Sequence, residues 1–284
     1  MKSNQHTYIL SIAILIALFC TSCVKDKLYY TPHPNLGAGV VTADFSQRSE
    51  SSPAPQEYTL VIGGESCTAP AGQPYCHPVK FLPGNYTLTA WNACDKMTTE
   101  GLSIRINTLS ANIVHAMPGH LFTARQQITV IQDDTLHVRL TMTQRTRDLH
   151  FDLTVTEGDP ELIASITGRL DGVAGVFDLE AQRPGADRFA VMPAFTRSGD
   201  KVTADARLLG LGGDGLTLTL DLTFTDGRTQ HIESDMTDLL AGFNADDMTV
   251  PLTVKGNILT PIGAGFTATI TDWEIIENEI IEIN

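Results

Sequence analysis

Two cysteines, Cys20 and Cys23, stand directly behind a greasy N-terminus and pose the first chemical question of this chain. As C-x-x-C the pair has the spacing of a redox or metal site, but its surroundings give it another chemistry. Lys2 is followed by an apolar run from Ile9 to Phe19 that only Ser11 interrupts. A secretory signal core needs about 7–15 such residues, whereas a membrane span needs about 20. Thr21 and Ser22 are the small residues a signal cut requires, and cleavage behind them leaves Cys23 at a new N-terminus. That is the substrate pattern of bacterial lipoprotein processing, in which the thiol takes a diacylglycerol and the amine an acyl chain. Cleavage before Cys20 would place bulky Phe19 at the cut, so Cys23 is the expected lipid-attachment residue, behind a signal peptide of residues 1–22. An ordinary secreted protein with a chance cysteine near the cut is the alternative.

The other chemically capable residues do not converge. Cys67, Cys76 and Cys94 remain, an odd count for an exported chain. Cys67 and Cys76 flank the Pro/Gly-rich loop "TAPAGQPY" and are the candidate disulfide pair with Cys94 free; three free thiols are the alternative. The eight histidines show no HExxH or HxH pattern, and no cysteine pair has zinc-finger spacing. "GLGGDG" (Gly210 to Gly215) resembles a dinucleotide loop, yet a phosphate loop must open a helix and here a strand pattern follows. Of two S-x-x-K matches, Ser22 to Lys25 is destroyed by signal cleavage and Ser198 to Lys201 sits in a Ser-Gly-Asp turn. The adjacent acids Asp133, Asp134 and Asp246, Asp247 read as solvated turn residues. No catalytic residue, metal site or cofactor is expected. Trp91 and Trp273 could stack on a sugar, against the more ordinary reading of both as core residues.

The formal net charge of −14 argues against nucleic acid and anionic headgroups as partners. Hydrophobic residues recur with period two almost throughout. In "LTLTLDLTFTDG", Leu216, Leu218, Leu220, Leu222 and Phe224 alternate with polar residues into an Asp-Gly turn. The same alternation marks Leu136 to Met142 and Leu149 to Val155, and further strands are predicted at Val40 to Phe45, Tyr58 to Ile62, Tyr86 to Trp91, Leu102 to Ile106, Val202 to Leu209 and Phe266 to Asp272. Short strands with polar outer faces imply antiparallel sandwiches, since parallel sheets read as unbroken apolar runs. One short helix is predicted at "SDMTDLLAGFN", with Ser234 or Asp235 as cap and Met236, Leu239, Leu240 and Phe243 on one side. The polar hinge "TQRTRD" (Thr143 to Asp148) divides the chain, and "DDTLHVRLTM" before it resembles "DDMTVPLTV" at Asp246 to Val254, as two similar sandwiches in tandem would. The expected organisation is thus a leader over 23–37, an N-terminal sandwich over 38–146 and a C-terminal sandwich over 147–284.

The segment from Cys23 through "HPNLG" to "ADFS", the turn Leu82 to Tyr86 in "VKFLPGNYTLTAWN", and "AMPGHLF" at Ala116 to Phe122 together carry a resemblance. The chain resembles the Bacteroidales fimbrial subunits of FimB type, the fimbrillin-associated anchor and accessory lipoproteins. The resemblance implies two transthyretin-like β-sandwich domains, attachment to the outer membrane through the acylated cysteine, other fimbrial subunits as partners, and no enzyme. A surface glycan-binding lipoprotein is the alternative function. Related stalk subunits mature by cleavage after an arginine near the end of an N-terminal strand; Arg48 holds that place in the polar run "QRSESSPAPQ", and an anchor is expected to keep it uncut. The C-terminal stretch "TDWEIIENEIIEIN" carries Ile275, Ile276, Ile280, Ile281 and Ile283 among acids, too apolar for a free tail and too irregular for an amphipathic helix. It is the candidate strand-exchange segment; completion of its own domain is the alternative.

Overall fold

The computed structural model describes residues 36–213, 215–245, 247–260 and 267–277. Cys23, Ile280, Ile281 and Ile283 lie outside them. Where the sequence alternates, the structure alternates: Arg147–Glu157 turns Leu149, Phe151, Leu153 and Val155 inward, and Thr217–Phe224 buries Leu218, Leu220 and Leu222. Packing of such half-apolar faces builds five sheets among the described residues.

In the first half, Ala38–Asp44 lies between Thr135–Thr141 and the short Tyr75–Cys76, facing a five-stranded sheet of Thr143–Gln144, Phe122–Val130, Gly84–Trp91, Glu57–Ile62 and Glu65–Pro70. Val41, Val138 and Leu140 from one sheet and Leu60, Leu88 and Phe122 from the other meet in a common core. In the second half, Thr196–Ser198, Lys201–Leu208, Arg147–Glu157, Leu252–Leu259 and Thr269–Glu277 form one sheet in that order. The opposing sheet runs Thr229–Asp235, Thr217–Phe224, Ile163–Ala174, Arg188–Val191, Ile113–Val114, Thr108–Ser110. A four-stranded sheet of Arg183–Pro184, Val176–Asp178, Ser103–Ile106 and Met97–Glu100 completes it. Both of the last two sheets therefore take strands from before residue 115, and Ile104, Ile106, Val114 and Leu121 join the second core.

Three differences from expectation have physical causes. Pairing is mostly antiparallel, but each half sets its first strand parallel to a late one: Ala38–Asp44 with Thr135–Thr141, and Arg147–Glu157 with Leu252–Leu259. The whole half of chain between them supplies the long crossover that a parallel pair needs. Residues 237–245 are a succession of turns, not a helix, and Ser234 and Asp235 end the strand Thr229–Asp235. One helical bond, Leu240 N–H to the Met236 carbonyl, gives way to i→i+3 bonds from Phe243 to Leu240 and from Ala245 to Gly242, as expected where Gly242 interrupts a segment too short to propagate. Met236, Leu240 and Phe243 are buried all the same. The polar hinge is buried too: Gln144, Thr146 and Arg147 are all shut away from water.

Candidate functional site

The last described strand, Thr269–Glu277, closes the second half as an edge. It pairs antiparallel with Leu252–Leu259 on one side, and no other strand among the described residues pairs with it. Asp272 adopts φ +53° at a bulge, where Asp272 and Trp273 together oppose Gly256. The bulge turns Trp273 onto the glycine, where a Cβ would stand 3.0 Å from the indole ring. Ile270, Trp273 and Ile275 pack on the core, while Glu274 faces Lys255 across the pair. A bulge and acidic side chains blunt the Asp272 region of this edge against pairing, leaving Glu274–Glu277 as its regular part.

Arg147 pins that end. Its fully buried guanidinium donates from Nε to the Val250 carbonyl at 2.6 Å and from Nη2 to Glu277 Oε1 at 3.2 Å, and lies 5.6 Å over the Phe243 ring. The signal was in the parity: Arg147 shares its face with Leu149, Phe151 and Leu153.

A second edge belongs to the first strand. Tyr75–Cys76 pairs only with Val40 and Val41, so among the described residues Thr42–Asp44 has no strand on that side. A groove of about 950 Å³, lined by Thr42, Ala43, Phe45, Gln56, Gly72 and Val138 among others, opens there. At its rim Arg139 donates to Asp44 Oδ2 at 2.7 Å and the Ser46 N–H to Asp44 Oδ1 at 2.9 Å. The Arg139 guanidinium and then the Ser46 bonds hold the Asp44 carboxyl down to about 2.

The chain after this strand is fastened down. Arg48 is exposed, but its side chain donates to the carbonyls of Phe45 (2.8 Å) and Ser52 (3.2 Å). The Ser49 N–H donates to Gln144 Oε1 at 2.9 Å, and Gln144 Nε2 donates onward to the carbonyls of Thr146 and Met248. Ser49 and Ser52 are buried in the middle of what reads in sequence as an exposed polar run.

The other candidate residues stay apart. Cys67 and Cys76 are separate thiols in the structure: Cys67 contacts the Tyr75 hydroxyl, and its thiol, like that of Cys94, is pushed up by burial, the latter to about 12. Trp91 is buried in the core and offers no face to a sugar. Lys201 donates to Asp152 at 2.9 Å, and the "GLGGDG" segment is held by Asn244, which accepts from the Leu211 N–H, with a strand following as expected. Asp134 and Asp247 each accept a backbone N–H just beyond them, from Thr135 and Thr249, so both acidic turns do the same structural work. Among the described residues no group of three or more His, Cys, Asp or Glu side chains could hold a metal.

Sandwich halves built from alternating strands, with open sheet edges and a tied-down first strand, define a protein of the all-β class. Comparison makes this particular: residues 47–279 match the family of fimbrillin-A associated anchor proteins Mfa1 and Mfa2, and the chain belongs to it. This is a family of fimbrial anchors, not of enzymes, and it places the chain at the cell surface or in the envelope. The fold is similar to that of the fimbrial anchor protein Mfa2 from Porphyromonas gingivalis, at 14% identity and TM-score 0.62 over 84% of this chain and 97% of that one. It is also similar to a proposed adhesin from Bacteroides ovatus (13% identity, TM-score 0.60, 72% of this chain and 84% of that one). A proposed polysaccharide-binding protein from Bacteroides thetaiotaomicron is a third likeness (11%, 0.52, 85% and 98%). At such identities these likenesses speak for the fold alone. No curated protein matches the sequence. Among the described residues no helix is long and apolar enough to cross a membrane.

Proposed function

We propose that this chain is an outer-membrane lipid-anchored fimbrial subunit, an anchor or accessory one, that joins fimbriae to the cell surface by β-strand addition. Membership of a fimbrial anchor family is the observation that carries the reading. The lipid on Cys23 supplies the membrane hold, since each buried acyl methylene contributes about 0.8 kcal/mol and two or three chains make the attachment effectively permanent. Replacing Cys23 with Ser is expected to release the protein from membranes in a high-salt wash; retention there sinks the lipid assignment.

Strand addition satisfies unpaired N–H and C=O groups on both partners without new folding, and pockets for alternate side chains give it selectivity. The pinned edge at Glu274–Glu277, with Ile280, Ile281 and Ile283 after it in the sequence, is the segment proposed to take part. Removing residues 278–284 spares the Arg147–Glu277 tie. The truncated protein is expected to stay folded and membrane-bound while its neighbouring subunit no longer co-purifies from native membranes. If it unfolds instead, the segment belongs to the core.

An anchor must also keep the Arg48–Ser49 bond, because cutting there parts the lipid from the body. The Ser49–Gln144 bond supports this, since a protease needs that backbone free and extended. Mass spectrometry of the surface protein should find no chain starting at Ser49; finding one makes this a stalk subunit.

A further inference from the structure

The leader joins the described body at Leu36 and Gly37, between two loops. Gly37 exchanges backbone bonds with Phe81, its N–H to the Phe81 carbonyl at 2.8 Å and the reverse at 3.0 Å, and the Ala38 N–H donates to the Asp134 carbonyl. A Cβ on Gly37 would stand 2.5 Å from the Ile131 carbonyl oxygen, so residue 37 is wedged against that turn. Both loops hold large aliphatic side chains out into water here: Leu82 is 65% exposed, Ile131 60% and Val79 38%.

These tips are not loose ends. The loop that bears Val79 and Leu82 is backed by the ring series His77, Phe81 and Tyr86, with centroids 4.9 and 5.4 Å apart, and the Tyr86 hydroxyl donates to the Leu82 carbonyl at 2.9 Å. Pro78 and Pro83 fix φ on either side. A stiff loop thus holds leucine out in water close to Leu36, where the described residues begin.

We infer that this pole, Val79 and Leu82 on one loop and Ile131 on the other, is a membrane-contact surface that seats the body on the lipid to which Cys23 is attached. The inference rests on the lipid assignment proposed above. Residues 24–36 span at most roughly 50 Å when extended, so the tether keeps this pole beside the bilayer at high effective concentration. A few aliphatic tips cannot hold a soluble protein on a membrane, but they can orient one that is already tethered. Lys80, between Val79 and Phe81, can reach the headgroup phosphates while its stem stays on the apolar side.

Hydrogen exchange on a chemically tethered chain tests this. A chain starting at Cys23, with Cys67→Ser, Cys76→Ser and Cys94→Ser, is coupled through Cys23 to maleimide-phosphatidylethanolamine in nanodiscs of phosphatidylethanolamine and phosphatidylcholine. Amides of residues 77–83 and 131–134 should exchange at least about threefold more slowly than in the uncoupled chain, with the turn at 225–228 unchanged. In the tethered L82D/I131D variant, or in L82S/I131S if the first does not match the parent's melting temperature, the slowing should vanish. Equal exchange with and without the tether, or the same slowing in the variants, overturns the inference. So does slowing that grows with protein concentration in the absence of lipid, which would make the pole a self-association surface. Coupling by maleimide bypasses cellular acylation, so an unacylated Cys23 in cells would sink the functional reading and leave this result standing, and the reverse.

Discussion

Arg147 shows how one side chain ties the last described strand to the junction of the two halves. It is fully buried, yet its ionic partner Glu277 is 53% exposed, so the two ends of the pair are worth different amounts. Losing Arg147 removes packing, the bond to the Val250 carbonyl and the stacking on Phe243. Arg147→Met is expected to cost about 2–4 kcal/mol, whereas Glu277→Gln should cost under about 1 kcal/mol because its carboxylate remains hydrated; urea unfolding of both variants measures the contrast. Asp44 gives the pH dependence at this scale. Its folded pKa, about 2, lies below that of an unfolded carboxyl, so its stabilising contribution is complete above roughly pH 4–5 and disappears as pH falls through about 2. Asp44→Asn should therefore melt below the parent at pH 7, and the gap should narrow from about pH 4 downward and close below about pH 2; an undiminished gap at pH 2 would show the effect to be steric.

At the scale of elements the last strand depends on a residue with no side chain. A Cβ on Gly256 would meet Ile270 at 2.9 Å and Trp273 at 3.0 Å, and the bulge at Asp272 leaves the indole nowhere else to go. Gly256→Val is expected to lift the strand and cost about 1–3 kcal/mol. Exchange protection should fall in 269–277 and remain in the first-half core; uniform loss would contradict a local role. Alternation made the strands at Leu149–Val155 and Leu218–Phe224 legible, because every second residue there is apolar. Ile163–Ala174 was not: Gly168 makes room for the Phe195 ring, where a Cβ would stand 2.1 Å away, and Gly172 bulges at φ +91°, so its inward face carries little apolar signal. Phe122–Val130 was masked by Arg125, Gln126 and Gln127, which are exposed mid-strand. At the candidate site, the apolar character of Ile275 and Ile276 could be read in advance; the bulge, the Arg147 tie and the burial of Ser49 could not, because each is set by a partner far away in sequence.

At the scale of the whole molecule, two repeats of a plan share material across their boundary. Each half pairs its opening strand in parallel with a later one, and each of those later strands follows an acidic turn that accepts a backbone N–H, which is what the likeness of the two "DD" segments encodes. Yet Ser103–Ile106 pairs with Val176–Asp178, and Ile113–Val114 pairs with Arg188–Val191. Ile104, Ile106, Val114 and Leu121 are buried in the second core. At about 1.5–3 kcal/mol for each fully buried aliphatic side chain, this borrowed set contributes roughly 6–12 kcal/mol. That is of the order of the whole stability of a domain, about 5–15 kcal/mol. A fragment of residues 147–284 should therefore lack a cooperative urea transition, while 36–284 shows one. Supplying residues 97–121 as a separate peptide should restore some of the fragment's strand signal in circular dichroism. A sharp transition from 147–284 alone would mean that the second sandwich is self-sufficient and that the strands from the first half merely decorate it. If the fragment fails to fold, as expected, force applied to the second half reaches the first through shared sheets as well as through the buried Gln144–Arg147 junction, which suits a member of a fimbrial anchor family.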